Sequence, residues 1–399
     1  MSTLSPGRVL FALAIGAFGI GTTEFTPMGL LPVIADGVGA SIPSAGMLIT
    51  AYAIGVMVGA PIMTLLFSRF GKRAALMMLM GIFTLGNLLS ALSPDYYTLL
   101  VSRLITSLNH GAFFGLGAVV AASVVPRDKQ ASAVATMFMG LTIANIGGVP
   151  AATWLGQQVG WRMAFAGTAV LGLLAIAALW YALPKGERGN VPHVRKELAV
   201  IARPNVLLAM ATTVLGAGAM FTLYTYVAPV LAELTGASAS FVTLGLVLIG
   251  VGFTLGNSLG GKLADWSLDG AARIFLGALA AIMLLMPLVL GSHVGAALAL
   301  LVWGVFTFAV VPPLQMRVMI AAAEAPGLAS SINVGAFNLG NAVGAALGGA
   351  VISLDLGYAA VPMAGGLLAA TGLLLVWLGG RGKGRNKLER RHPQGMAAF

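Results

Sequence analysis

The residues best suited to chemistry are few and lie in unexpected company. Glu24 stands in Gly21-Thr22-Thr23-Glu24-Phe25-Thr26-Pro27, near the middle of an apolar run from about Val9 to Ile34. That run is long enough to cross a bilayer, which takes roughly 20 apolar residues at ~1.5 Å each. A carboxyl group at membrane depth costs about 3 kcal/mol on insertion scales, so it must face protein or a water-filled cavity. Two readings are open: a protonated carboxyl in a structural hydrogen bond between helices, or a group that takes up and releases a proton or cation. Arg103 lies inside another apolar run and needs a partner for the same reason. It is either a structural anchor or a proton-coupling group. His110, in the same run, falls at a depth similar to Glu24, and histidine is the side chain that titrates nearest neutral pH. It is a second proton-coupling candidate or a satisfied packing residue.

Other chemistries have no support. The chain has no cysteine, hence no disulfide framework or thiol chemistry. The histidines, at positions 110, 193, 293 and 392, are too dispersed in sequence to suggest a metal cluster. There is no Walker loop and no arguable Ser/His/Asp set. An enzyme is not expected; nor is a cofactor or a metal, and a proton gradient rather than ATP is the expected energy source. A membrane enzyme, sensor or scaffold is the weaker alternative.

The elements that position these residues follow from composition. Of 399 residues, 58% are hydrophobic and 9% charged, against roughly 25% charged in soluble domains. This is a membrane protein. The net charge of +10 could suggest nucleic acid, but the basic residues are spread over short loops between apolar runs, a pattern that suits topology instead. No nucleic-acid partner is expected; lipid, protons and a small molecule are, and the chain is expected to be a monomer. Apolar segments at about 9–34, 45–67, 74–92, 98–124, 131–155, 162–183, 205–231, 240–263, 272–291, 295–320, 327–352 and 358–379 predict twelve transmembrane helices.

Lysine and arginine set the orientation. One set of loops carries Arg8, Arg69, Lys72, Arg73, Arg127, Lys129, Lys185, Arg188, Arg195, Lys196, Arg203, Lys262, Arg273 and Arg317, and the same side takes the basic C-terminal tail. The opposite loops hold Arg162. This bias predicts both termini on the cytoplasmic side of a bacterial inner membrane. A charged stretch over 184–204 divides the chain into six-span bundles at 1–183 and 205–380, with a basic cytoplasmic tail at 381–399. An internal repeat agrees. A shift of 197 residues puts Gly19 on Gly216, Gly21 on Gly218, Pro32 on Pro229, Gly55 on Gly252 and Gly59 on Gly256. A shift of 196 puts Asn145 on Asn341 and Gly148 on Gly344. Two parallel halves around a midplane site are a transporter architecture. Phe221 stands at the repeat position of Glu24, so any proton work belongs to the first half. Gly55/Gly59, Gly111/Gly115, Gly252/Gly256/Gly260 and Gly340/Gly344/Gly348 are small-residue faces for close helix approach, and spans 2, 5, 8 and 11 are candidates to close the gates.

Several stretches resemble the major facilitator superfamily, in particular its drug:proton antiporter branch and the arabinose-efflux-permease-like bacterial exporters. They are Gly21-Thr22-Thr23-Glu24-Phe25 with Met28-Gly29-Leu30-Leu31-Pro32, Asn109-His110-Gly111-Ala112-Phe113-Phe114-Gly115, Gly140-Leu141-Thr142-Ile143-Ala144-Asn145 and Gly160-Trp161-Arg162. The resemblance implies an all-α membrane protein with twelve transmembrane helices in two pseudo-symmetric six-helix bundles, exporting a sugar or drug-like solute by proton-coupled alternating access. Proton-coupled uptake is the alternative. In the loop after span 2, Arg69, Gly71, Lys72 and Arg73 match the family pattern, while Thr64 and Ser68 replace its Gly and Asp. The equivalent turn after span 8 keeps Gly261-Lys262-Leu263-Ala264-Asp265. The resemblance implies that Asp265 pins a cytoplasmic gate, with Arg69, Gly71, Lys72 and Arg73 as its counterpart in the first half. The span 4 pattern appears as Arg103 with Ser107 in place of a glycine, and the antiporter motif of span 5 is partial, with Gly140 and Gly148 present but Ala144 and Asn145 where Gly-Pro would stand. Asn145, Tyr224, Tyr226, Gln315, Asn338 and Asn341 are the candidate substrate-cavity residues beside Glu24 and His110.

Overall fold

The computed structural model describes residues 5–40, 42–184 and 193–389. In lipid every backbone polar group needs an internal partner, so an apolar chain of this kind resolves into helices. The first half contains α1 (Pro6–Gly37), α2 (Ile42–Phe67), α3 (Lys72–Leu92), α4 (Tyr96–Ser123), α5 (Gln130–Ile143), α6 (Val149–Val159) and α7 (Trp161–Ala182). A short helix α8 (Val194–Ile201) follows within the expected linker. The second half contains α9 (Pro204–Tyr224), α10 (Val227–Thr235), α11 (Ala239–Trp266), α12 (Leu268–Leu285), α13 (His293–Ala309), α14 (Val311–Ala321), α15 (Pro326–Ser353) and α16 (Ala360–Glu389). Among the described residues, twelve helical stretches are long and apolar enough to span a membrane, with α5/α6 and α13/α14 each forming one span. The last helix continues past the expected end at 379, and the linker residues 185–192 and tail residues 390–399 lie outside the described residues.

Local chemistry marks the ends. Asp95 caps α4, accepting the Thr98 N–H at 2.9 Å. Ser238, Ser267 and Ser292 do the same for α11, α12 and α13, each accepting a main-chain N–H of the first turn. Between α6 and α7 the chain reverses at Gly160, whose φ of 114° suits a residue without Cβ. Beside it Arg162 donates to the Ser93 carbonyl at 2.8 Å, tying the start of span 6 to the end of span 3.

The two six-span bundles pack by one plan. Spans 1 and 5 (α1, α5), 2 and 4 (α2, α4) and 3 and 6 (α3, α7) are paired in the first half. Spans 7 and 11 (α9, α15), 8 and 10 (α11, α13) and 9 and 12 (α12, α16) repeat the pairing in the second. Glycine makes the tightest of these contacts. A Cβ at Gly256 or Gly260 would strike the Val305 or Ala309 carbonyl, and one at Gly344 the Gly218 carbonyl. These two glycine faces therefore close packing inside the second half, whereas Gly115 packs on Ser331 of the other half. The bundles meet through α5 against α11 and through α2 and α4 against α15. Phe113, Phe83, Phe253 and Phe275 fill the protein interior, while Ile62, Leu92, Trp154 and Leu288 stand on the outer surface, as lipid contact requires.

Candidate transport site

Two spans are interrupted within their length. Span 5 carries a π turn at Ala144–Gly148. Span 10 breaks between α13 and α14 at Val310, just before Pro312 and Pro313, and α10 follows the end of span 7 after Thr225 and Tyr226. Proline supplies no N–H and clashes with the preceding turn, which explains the break in span 10. Irregular backbone at membrane depth is tolerated where protein buries it or a cavity adjoins it. Such a cavity lies between the halves, with about 60 Å³ of space open to water-sized molecules. The first half contributes Glu24, His110, Phe114, Phe138 and Leu141 to its wall; the second contributes Thr213, Met220, Thr307, Gln315, Asn333, Phe337 and Asn338.

Behind Glu24 runs a buried polar chain. Arg103 is 1% exposed. Its Nη1 donates to Thr23 Oγ1 at 3.1 Å and its Nη2 to the Thr23 carbonyl at 3.0 Å. Thr23 Oγ1 in turn donates to Asn87 Oδ1 at 2.5 Å, and Asn87 Nδ2 donates to the Phe83 carbonyl at 2.9 Å. The guanidinium also lies over the rings of Tyr52, 4.4 Å from the centroid, and Phe165, 5.5 Å away. Hydrogen bonds and ring faces thus hold this cation, and among the described residues no carboxylate is in ion-pair contact with it. Glu24 follows Thr23 directly along α1. Tyr52 extends the chain: its hydroxyl stands 3.2 Å from His110 Nδ1. The imidazole, itself buried, leans on Phe114 with centroids 5.2 Å apart. Arg103, Tyr52 and His110 thus form one chain of contacts between α2 and α4, with Glu24 the residue after Thr23 on α1.

Of the residues expected in the cavity, Gln315 and Asn338 join Glu24 and His110 on its wall. Asn338 spends its Nδ2 on the Val334 carbonyl of its own helix, at 3.0 Å. Asn145, Tyr224, Tyr226 and Asn341 are not among the wall residues. Asn145 sits in the π turn and donates to the Leu141 carbonyl at 3.1 Å. Tyr224 stacks on Trp303, and Tyr226 donates to the Ala345 carbonyl at 2.9 Å, bracing the turn between α9 and α10 against α15. Asn341 is half-buried on α15. Tyr52, Thr307 and Asn333 were not singled out from sequence. The one tyrosine of the mostly apolar α2 is the available signal for the first; the other two look like any threonine and asparagine in a span.

At the basic end, Asp265 reaches from α11 to the opposite half and accepts the N–H groups of Ala131 and Ser132, at 2.7 and 3.1 Å. Asn257 donates to the Ala135 carbonyl at 2.6 Å, and Ser331 to the Ala60 carbonyl at 2.9 Å. These contacts tie the two halves together at that end. Arg69, Gly71, Lys72 and Arg73 stay within the first half: Arg69 over Phe70, Gly71 and Lys72 at the start of α3, and Arg73 over Trp180 at 4.1 Å. In the second half Arg317 pairs with Asp269. Among the described residues no group of three or more His, Asp or Glu side chains could hold a metal ion.

Comparison with known proteins bears on this arrangement. The family model described as Major Facilitator Superfamily matches residues 13–326. The inner membrane transport protein YdhP of Escherichia coli K12 is 67% identical over 372 residues, 93% of this chain and 96% of that protein. A chloramphenicol resistance protein of Streptomyces lividans is 32% identical over 377 residues, covering 92% of this chain and 95% of that protein. The solved structure of the transporter FucP in its outward conformation superposes with a TM-score of 0.78 at 16% identity, covering 95% of this chain and 99% of that one, a likeness of fold. The chain is a multi-pass inner-membrane transporter and not an enzyme, and it belongs to the Major Facilitator Superfamily, in the branch of the arabinose-efflux-permease-like proteins and drug exporters.

Proposed function

We propose that this transporter exports a small organic solute, sugar or drug-like, in exchange for protons. The basic end faces the cytoplasm, both termini lie on that side, and the protein works as a monomer. Residues 1–183 and 205–380 rock about the central cavity, joined by the linker at 184–204, and Asp265 helps hold the cytoplasmic gate shut. The observation that carries the reading is Glu24 on the cavity wall, beside His110 and next to the buried Arg103–Tyr52 pair. A carboxyl group there meets protons or solute, and only a differential effect on the two access states can drive a cycle. Similarity to a chloramphenicol resistance protein supports export rather than uptake.

Vesicles of both orientations provide the test. Everted vesicles carrying the protein, with an imposed proton gradient, should accumulate chloramphenicol or a member of a sugar and drug panel. Solute uptake by right-side-out vesicles under an inward proton gradient would reverse the direction. Transport unaffected by collapsing the gradient would remove proton coupling.

A further inference from the structure

The Gly160-Trp161-Arg162 stretch, which the transport cavity does not use, stands beside a groove on the outer surface of the first half. The groove runs between the end of α3 and the start of α4, with about 430 Å³ of space. Leu89 and Leu92 line one side; Tyr97, Val101 and Ile105, on successive turns of α4, line the other. From Tyr97 to Ile105 the slot descends about 12 Å, against about 15 Å for one leaflet of the hydrocarbon core. Its chemistry is that of hydrocarbon. Ser93 Oγ donates to the Leu89 carbonyl at 2.8 Å, Thr98 Oγ1 to the Asp95 carbonyl at 3.0 Å and Ser102 Oγ to the Leu99 carbonyl at 2.7 Å. With these three hydroxyls tied to main chain, the slot below Tyr97 suits an apolar chain. Tyr97 itself is 75% exposed, at the level where tyrosine gathers beside lipid head groups.

Two opposite charges flank the mouth of the groove, on either side of Ser93 and Pro94. Arg162 Nη2 donates to the Ser93 carbonyl at 2.8 Å, and the guanidinium lies over the Trp161 ring at 4.2 Å. Among the described residues its other N–H groups have no acceptor and it makes no ion pair. Apart from the buried Arg103, it is the one lysine or arginine away from the basic end. Asp95 follows Ser93 by two residues, a reach of at most about 7 Å. One of its oxygens accepts the Thr98 N–H. That main-chain bond holds the Asp95 carboxyl below its usual range, so it is charged at neutral pH. A guanidinium with free donors and an exposed carboxylate, set side by side, match a zwitterion: a phosphate on the first and an ammonium on the second.

We infer that this groove is a lipid site for a zwitterionic phospholipid with a primary ammonium head group, phosphatidylethanolamine, in the leaflet opposite the basic end. One acyl chain fills the slot between α3 and α4, the phosphate meets Arg162 and the ammonium meets Asp95. An anionic lipid such as phosphatidylglycerol brings its phosphate to Arg162 but leaves Asp95 facing a negative charge. A choline head group has no N–H to donate. The site backs onto the transport machinery: Ser102 lines the groove, and Arg103, next along α4, is buried behind it. The inference is independent of the solute, the coupling ion and the direction of transport.

The test places a photo-cross-linker in the groove. The full-length protein with Val101→benzoylphenylalanine is reconstituted in vesicles of equal phosphatidylethanolamine, phosphatidylglycerol and phosphatidylcholine, irradiated, and the attached lipid identified by mass. The same label at Leu298, an exposed residue equally far into α13, reports the bulk composition. Adducts at position 101 should be enriched in phosphatidylethanolamine about threefold over those at 298. Asp95→Asn, which keeps a capping acceptor, should remove the preference over phosphatidylglycerol, and Arg162→Gln should abolish enrichment of either lipid. Adducts at 101 that match those at 298 would reduce the groove to ordinary lipid contact and overturn the inference. So would enrichment in phosphatidylglycerol or phosphatidylcholine, or a phosphatidylethanolamine preference that survives Asp95→Asn. Arg162→Gln also loses the tie to Ser93; should it fail to fold, Asp95→Asn decides the matter alone.

Discussion

Asp265 on α11 caps a helix of the opposite half: its Oδ1 accepts the Ala131 N–H at 2.7 Å, and its Oδ2 takes the Ser132 N–H at 3.1 Å. Both donors belong to the first turn of α5, where no preceding carbonyl is available to them. The helix dipole favours a carboxylate at that end. The cap therefore exists only while the two halves are together at the basic end, with Gly261 packed on Ser132 and Ala135 beside it.

Asp265→Asn should loosen this closure. An amide keeps one acceptor but turns an NH2 group toward an N–H, so about 1 kcal/mol of capping is lost, roughly fivefold in the closed population. The native chain has no cysteine, so Leu141→Cys on the cavity wall reports access cleanly. A membrane-impermeant maleimide supplied from the basic side should label it several-fold faster in the Asp265→Asn background. Equal labelling together with normal transport would remove Asp265 from the gate.

Glu24→Gln keeps shape and a hydrogen bond but cannot titrate. It should insert normally and bind solute, yet fail to expel it against a gradient. Solute exchange without a proton gradient should survive better than gradient-driven movement. Solute-induced proton release from the purified protein decides the matter, and release equal to wild type would send the search for the coupling group elsewhere.

Tyr52→Phe separates two contacts made by one ring. The variant keeps the face under Arg103 but loses the hydroxyl beside His110. Stability should fall by about 1 kcal/mol, the net value of one hydrogen bond. His110→Ala should flatten the pH dependence of transport between mildly acidic and neutral pH, His110→Gln should retain folding and part of the solute binding, and Tyr52→Phe should displace the profile without flattening it. Wild-type profiles in all of these variants would make His110 a packing residue.

Arg203, just before α9, forms a two-pronged pair with Glu324 in the turn before α15, at 2.9 and 2.7 Å. The guanidinium holds the Glu324 carboxyl below its ordinary range, chiefly through the hydrogen bond. A depressed carboxylate stabilises the fold fully above the unfolded value, near 4.5, and that contribution is lost as pH falls through the lower folded value. Because the pair is exposed, the effect is small and screened by salt. Glu324→Gln should lower the melting temperature slightly at pH 7, and the difference from wild type should shrink as the pH is lowered below 4.5. A gap that does not change with pH would assign it to some other contact of Glu324.

The sequence by itself determined how many times this chain crosses the membrane, roughly where, and that Glu24, Arg103 and His110 lie at depth in its first half. These are local properties: a run of apolar residues must become a span, and a charge within it stands out. The likeness of the two halves was also legible, through the spacing of Gly55 with Gly252 and Asn145 with Asn341. Which side chains share a cavity was decided only by tertiary structure. Helices such as α1 and α9 are apolar nearly all round, so periodicity does not say which face meets a neighbour and which meets lipid. Tyr226 and Asn338 are equally polar in sequence, yet one braces a helix break and the other lines the cavity. The Tyr52–His110 contact joins α2 to α4, and the Asn333–Gln315 hydrogen bond joins α15 to α14. A hydrogen bond depends on two positions at once, and a single run of residues specifies only one of them.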